Sequence, residues 1–98
     1  MKTYRGARTF DAIVVTVDDQ PLSARRDLHL YSRNGFEWGF EGAESLQLSL
    51  AILADATDDA RALAGADPFM RAIVANFDNE WEINDEQVRT ALGDLQVP

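Results

Sequence analysis

The sequence predicts an α+β fold, a small antiparallel β-sheet of about four strands with three main helices packed on one face. Three observations carry this. Ile13, Val15 and Val17 alternate with Ala12, Val14 and Thr16, the period of an extended strand. From Glu44 to Ala54 only Gln47 and Ser49 interrupt Leu46, Leu48, Leu50, Ile52 and Leu53, so apolar groups surround most of a helix rather than one stripe. Phe69, Met70, Ile73, Val74 and Phe77 then recur at helical spacing along a single face. At 98 residues, with no internal repeat or low-complexity tract, the chain is read as one domain over 1–98, long enough to bury its own core.

Taken in order, Lys2 to Arg5 is a first β-prone run, and Ala12 to Val17 is a central strand because both of its faces are fairly apolar. Asp18-Asp19-Gln20-Pro21 is a turn: Asp hydrogen-bonds its own backbone, and Pro21 has no N–H to give a ladder. Residues 22–33 are the least regular part, with Leu28 and Leu30 suited to an irregular strand. Asn34-Gly35 is a hairpin-type turn that feeds a strand over Phe36 to Phe40. The core helix starts at about Glu44. Asp58 to Leu63 predicts a short helical turn that stops at Gly65, and Asp67-Pro68 predicts the start of a second long helix, with an N-cap oxygen followed by a proline where no amide bond is required. Glu80 to Ile83 alternates polar and apolar, as an edge strand with Trp81 and Ile83 turned inward would. Asn84 with Gln87 fits a capping box, Asp85 and Glu86 complement the positive helix end, and Val88, Leu92 and Leu95 form the buried stripe of the last helix.

Composition narrows function. With no cysteine, neither a disulfide framework nor a thiolate metal site is available, and with no apolar stretch long enough to span a bilayer a cytoplasmic location is expected. The net charge of −8 is unevenly placed: residues 1–34 carry six Lys or Arg against four Asp, residues 35–98 three against thirteen acids. Such an excess argues against gripping phosphates, so direct nucleic-acid binding is not expected and a basic protein surface is the better partner.

Catalytic and ligand motifs are sparse. His29 is the single histidine, and Asp27 would share its face on an extended segment, a spacing that orients an imidazole for proton transfer. Ser23 and Ser32 lie near it but lack a strand-to-helix nucleophile elbow, and His29 reads better as a partly exposed structural residue. Gly35, Gly39 and Gly42 resemble a glycine-rich phosphate loop, but no lysine follows in the required place, and Glu37, Glu41 and Glu44 would repel an anion. Asp78, Glu80, Glu82, Asp85 and Glu86 form a dense acidic group, and Asp55, Asp58 and Asp59 a second. Neither has calcium-loop spacing. No enzyme activity, metal or cofactor is expected, and these eight carboxylates are the candidate partner-binding residues, the first five converging on one side. The competing candidate is an exposed patch of Trp38 with Phe36 or Phe40, which would favour a homodimer over a monomer.

The segments Met-Lys-Thr-Tyr-Arg-Gly at 1–6, Val-Thr-Val-Asp with Pro-Leu within 15–22, Gly-Phe-Glu-Trp-Gly-Phe with Gly42 at 35–42, and Leu-Ser-Leu-Ala-Ile-Leu-Ala-Asp at 48–55 are similar to those of an uncharacterised bacterial and phage domain family of unknown function. The resemblance continues through Phe69, Ile73-Val74-Ala75 and Trp81. It departs at Ala43-Glu44-Ser45, where that family has small residues and proline. The resemblance supplies no activity, but its occurrence on phages and mobile elements implies an inhibitor of host defence. An anti-CRISPR-type protein that occupies the basic surface of an effector subunit in place of nucleic acid is the specific form implied. The alternative is a small bacterial regulatory or interaction module whose acidity only keeps it soluble.

Overall fold

The computed structural model describes all residues from Met1 to Pro98. Two hairpins build most of its sheet. β1 (Thr3–Arg8) and β2 (Ile13–Val17) pair antiparallel, with Tyr4 opposite Val17 and Arg8 opposite Ile13. The second hairpin turns on Asp18 and Asp19, whose φ angles of +48° and +67° are those of a two-residue primed turn, a conformation that Asp tolerates better than most residues. This turn brings Gln20 opposite Val17 and Pro21 opposite Thr16, so Gln20–Pro21 is a short third strand, β3. β4 (Glu80–Asn84) pairs antiparallel with the other side of β1, giving the order β3-β2-β1-β4.

Phe36 to Phe40 is not a strand; Gln20–Pro21 takes the fourth place in the sheet. The 36–40 backbone is held from other directions, with Gly39 N–H donating to Val74 O at 3.0 Å and Glu37 N–H to Glu44 O at 3.4 Å, and Gly35 and Gly39 adopt φ of +93° and +86°, outside strand geometry. Nor is there an aromatic patch centred on Trp38. Its ring is fully buried, 5.7 Å from Trp81 in an edge-to-face contact, while Phe77 stacks on Trp81 at 4.3 Å. The Arg8 guanidinium lies 4.7 Å over the Trp38 ring and also donates to Trp38 O and Glu37 Oε1. Phe40 alone of the three remains exposed.

The helices are α1 (Ala43–Ala56), α2 (Asp59–Ala72) and α3 (Asp85–Asp94), with a 3₁₀ turn at Val74–Asn76. α1 is the centre of the molecule: Leu48, Leu50, Ala51, Ile52 and Leu53 are fully buried, as a helix apolar on every side must be. The expected break at Gly65 and restart at Asp67-Pro68 do not occur, since α2 is continuous, capped by Asp58 whose carboxylate accepts from Arg61 N–H. Gly65 is there for packing: a Cβ would meet Leu92 Cδ2 at 3.0 Å and Leu53 Cδ1 at 3.3 Å, so its absence lets α2 lie close to both α1 and α3. Ser49 Oγ donates to Ala66 O at 2.7 Å and ties the two helices two residues before Pro68, which has no N–H to give the carbonyl one turn back. α3 begins with the predicted capping box of Asn84 and Gln87, and Val88 and Leu92 are buried along it.

All three helices cover one face of the sheet. Tyr4, Gly6, Val15, Trp81 and Ile83 point to that side and are buried. No helix is long and apolar enough to cross a membrane.

Candidate functional site

Because side chains alternate along each strand, burying Tyr4, Gly6, Trp81 and Ile83 leaves Arg5, Ala7, Val14, Thr16, Glu80 and Glu82 on the opposite face. No element covers them. They line a shallow cleft of about 500 Å³, apolar at Val14 and Ala7 and charged at Arg5, Glu80 and Glu82. The register arranges them in rows: Val14, Ala7 and Glu80 across one, Thr16, Arg5 and Glu82 across the next. Arg5 Nε donates to Glu82 Oε1 at 2.7 Å, and this contact raises the Arg5 pKa further. Phe10, in the turn between β1 and β2, is fully exposed.

The structure distributes the eight candidate carboxylates rather than gathering them. Asp55 accepts from Tyr4 Oη at 2.7 Å and pairs with Lys2 at 3.3 Å. Asp58 caps α2 and pairs with Arg61, and Asp59 pairs with Arg25 at 3.2 Å. Asp85 pairs with Arg89 at 3.4 Å. Burial works against its ionised form, yet the Lys2 backbone and Arg89 hold its carboxyl below the usual range. With Glu82 on Arg5, five of the eight are matched by cations of their own chain. Asp78, Glu80 and Glu86 have no such cation. Glu80 stands where two surfaces meet, the open sheet face and a second open cleft bordered by Arg8, Phe40, Phe77 and Asp78. Glu86 belongs to a separate hollow with Asn84 and Asp94.

The residues weighed for chemistry lie apart. Asp27 is drawn to Arg25, whose hydrogen bond holds its carboxyl below the usual range, and His29 is exposed with its ring against Tyr31 at 4.1 Å. Ser23 Oγ and Ser32 Oγ accept from backbone amides of Arg25 and Asn34. No three His, Asp or Glu side chains are grouped to hold a metal ion. The glycine segment spends its Gly39 amide on Val74 O.

Sequence reasoning passed over Gln47, which it treated as an interruption of the apolar run. Buried in α1, its Oε1 accepts from Tyr31 and Ser32 N–H at 2.7 and 3.0 Å, and its Nε2 donates to Ala24 O and His29 O at 2.6 and 3.1 Å. One side chain thus pins the irregular segment that sequence could not assign. The signal was there in principle: an amide within so apolar a run needs partners, and an unstructured backbone nearby supplies them.

Fold and site together define a small two-layer α+β domain, helices on one sheet face and a bare, partly charged surface on the other. The chain belongs to a family of unknown function, DUF6166, whose model matches residues 4–94. No curated protein and no solved structure matches it.

Proposed function

We propose that this protein acts by binding rather than by catalysis, and that its partner presents a basic surface. The observation that carries the reading is Glu80: it stands on the uncovered sheet face without a cation of its own chain, next to Asp78, which also has none. Carboxylates so placed gain more from an external Arg or Lys than those already paired, because no internal contact has to be given up.

The specific form of this reading is an anti-CRISPR-like inhibitor of phage or mobile-element type. It occupies the basic surface of a CRISPR effector subunit in the cytoplasm and does not itself bind nucleic acid. Its support is the sequence resemblance stated above together with the acidic excess. The test is to express the chain in bacteria with active CRISPR immunity and count plaques of a targeted phage. Restored plaquing is expected, and unchanged immunity at full expression overturns the inhibitor reading.

A second reading has its own observation. Asp55, Asp58, Asp59, Glu82 and Asp85 are all matched internally, as they would be in a regulatory or interaction module whose acidity only maintains solubility. The two readings part at Asp78→Lys with Glu80→Lys. Loss of partner binding with the fold retained supports the first, and retained binding supports the second.

A further inference from the structure

We propose that β4 is a docking edge, at which an extended basic segment of the partner adds to the sheet as a further strand; the inference rests on the basic-partner reading and narrows it to a backbone-directed mode of binding. The hydrogen bonds flanking the sheet fix which way each backbone group points. Thr9 N–H donates to Ala12 O at 2.8 Å and Asp18 N–H to Thr3 O at 2.9 Å, so alternate residues of β1 from Thr3 to Thr9 turn their amides and carbonyls to β2. Asp85 N–H donates to Lys2 O at 3.0 Å and Arg8 N–H to Asn79 O at 3.2 Å, so Tyr4, Gly6 and Arg8 turn theirs to β4. Across the ladder, Trp81 and Ile83 answer β1. Glu80, Glu82 and Asn84 therefore direct their backbone groups away from the sheet.

Asn84 N–H is taken by Gln87 Oε1 at 2.9 Å, within the helix cap. Glu80 and Glu82 keep two N–H and two C=O groups in a row along an exposed edge, and no turn, loop or cap hydrogen bond reaches them. The opposite edge differs: β3 is two residues long and one of them is Pro21, which has no N–H. A short edge with proline is protected against strand addition, whereas β4 is five residues long and keeps the backbone groups of Glu80 and Glu82 open.

Charge selects the occupant. The carboxylates of Glu80 and Glu82 stand on the open face beside an incoming strand, Glu82 shared with Arg5 and Glu80 unshared. A strand with Lys or Arg at alternate positions would set its cations beside them, at the spacing where cross-strand pairs interact. A second copy of this chain is disfavoured, because antiparallel pairing of β4 with itself across a two-fold axis sets carboxylate opposite carboxylate.

The experiment titrates the intact protein with an alternating Lys-Thr peptide long enough to span β4, and with the same peptide N-methylated on alternate amides. Amide shifts are followed by NMR and affinity by fluorescence anisotropy. Two variants accompany it: Glu82→Thr removes the charge and keeps the outward N–H, and Glu82→Pro removes both. Expected are shifts at the Glu80 and Glu82 amides, and binding weakened about tenfold or more both by N-methylation and by Glu82→Pro relative to Glu82→Thr, as the loss of backbone hydrogen bonds requires. If circular dichroism shows Glu82→Pro unfolded, the N-methylated peptide decides alone. Equal, salt-sensitive binding of both peptides overturns the edge inference and leaves the basic-partner reading standing. Binding of neither overturns both. Concentration-dependent shifts at the same amides without peptide would put a second copy on β4 and overturn the proposal.

Discussion

Tyr4 donates its phenolic hydrogen to Asp55 Oδ2 across 2.7 Å, a bond that joins the first strand to the last turn of α1 over 51 residues of sequence. Lys2 reaches the same carboxylate at 3.3 Å, so the N-terminal strand is clamped to the central helix by one acid and two donors. This contact ties the start of the first strand directly to the helical layer.

The clamp has a pH signature. Burial, then the hydrogen bond and the charge of Asp55, push the Tyr4 hydroxyl far above its ordinary value, whereas an unfolded tyrosine ionises near 10. The folded pKa is the raised one, so this stabilisation is complete below about pH 10 and is lost as pH rises above it. Tyr4→Phe should cost about 1–2 kcal/mol at neutral pH and should flatten the alkaline limb of a urea-denaturation series. Parallel alkaline limbs for the two proteins would rule the account out.

Gly6 lies directly beneath the Trp81 indole, and a Cβ there would sit 2.2 Å from Nε1 and 2.3 Å from Cε2. The ring cannot retreat, being stacked on Phe77 and met edge-on by Trp38. Gly6→Ala should therefore destabilise by about 1–3 kcal/mol or more. A double cycle with Trp81→Leu should show coupling of about 0.5–3 kcal/mol, since the smaller side chain relieves the clash. Additive single effects would mean the crowding is not the cause.

Gln47→Leu removes four hydrogen bonds at once and leaves backbone groups of the 24–32 segment without partners. A loss of about 1–3 kcal/mol is expected. Arg25 and Arg26 lie in that segment, so brief trypsin treatment should cut the variant there while sparing the parent. Equal resistance of the two would show that the segment is held by something else.

Leu50 is fully buried in the core and Ile73 is half-buried against it. Leu50→Ala should cost about 2–5 kcal/mol, and Ile73→Ala less, because part of its surface already meets water. A thermal melt that ranked Ile73→Ala as the more damaging would contradict this packing.

Local chemistry determined much of this molecule. The period of Ile13–Val17, the Asn84–Gln87 capping box, the alternation around Trp81 and the all-round apolarity of α1 each follow from residues within a few positions of one another, and each appears where the sequence placed it. Tertiary structure decided what depends on distant partners. Phe36–Phe40 has the residues of a strand, but the fold buries the Trp38 ring beside Trp81 under the Arg8 guanidinium and commits the Gly39 amide to Val74 O rather than to a ladder. Gly65 and Pro68 signal a break in any isolated helix, yet α2 runs through them because close packing on α1 and α3 and the Ser49–Ala66 bond stabilise the continuous form. The free charge was the least legible feature. Whether a carboxylate is matched depends on which cation the fold brings alongside: Lys2 meets Asp55 and Arg5 meets Glu82 across most of the chain, while Glu80, next but one to Glu82, meets none. Secondary structure is set by neighbours in sequence; which ions pair is set by neighbours in space.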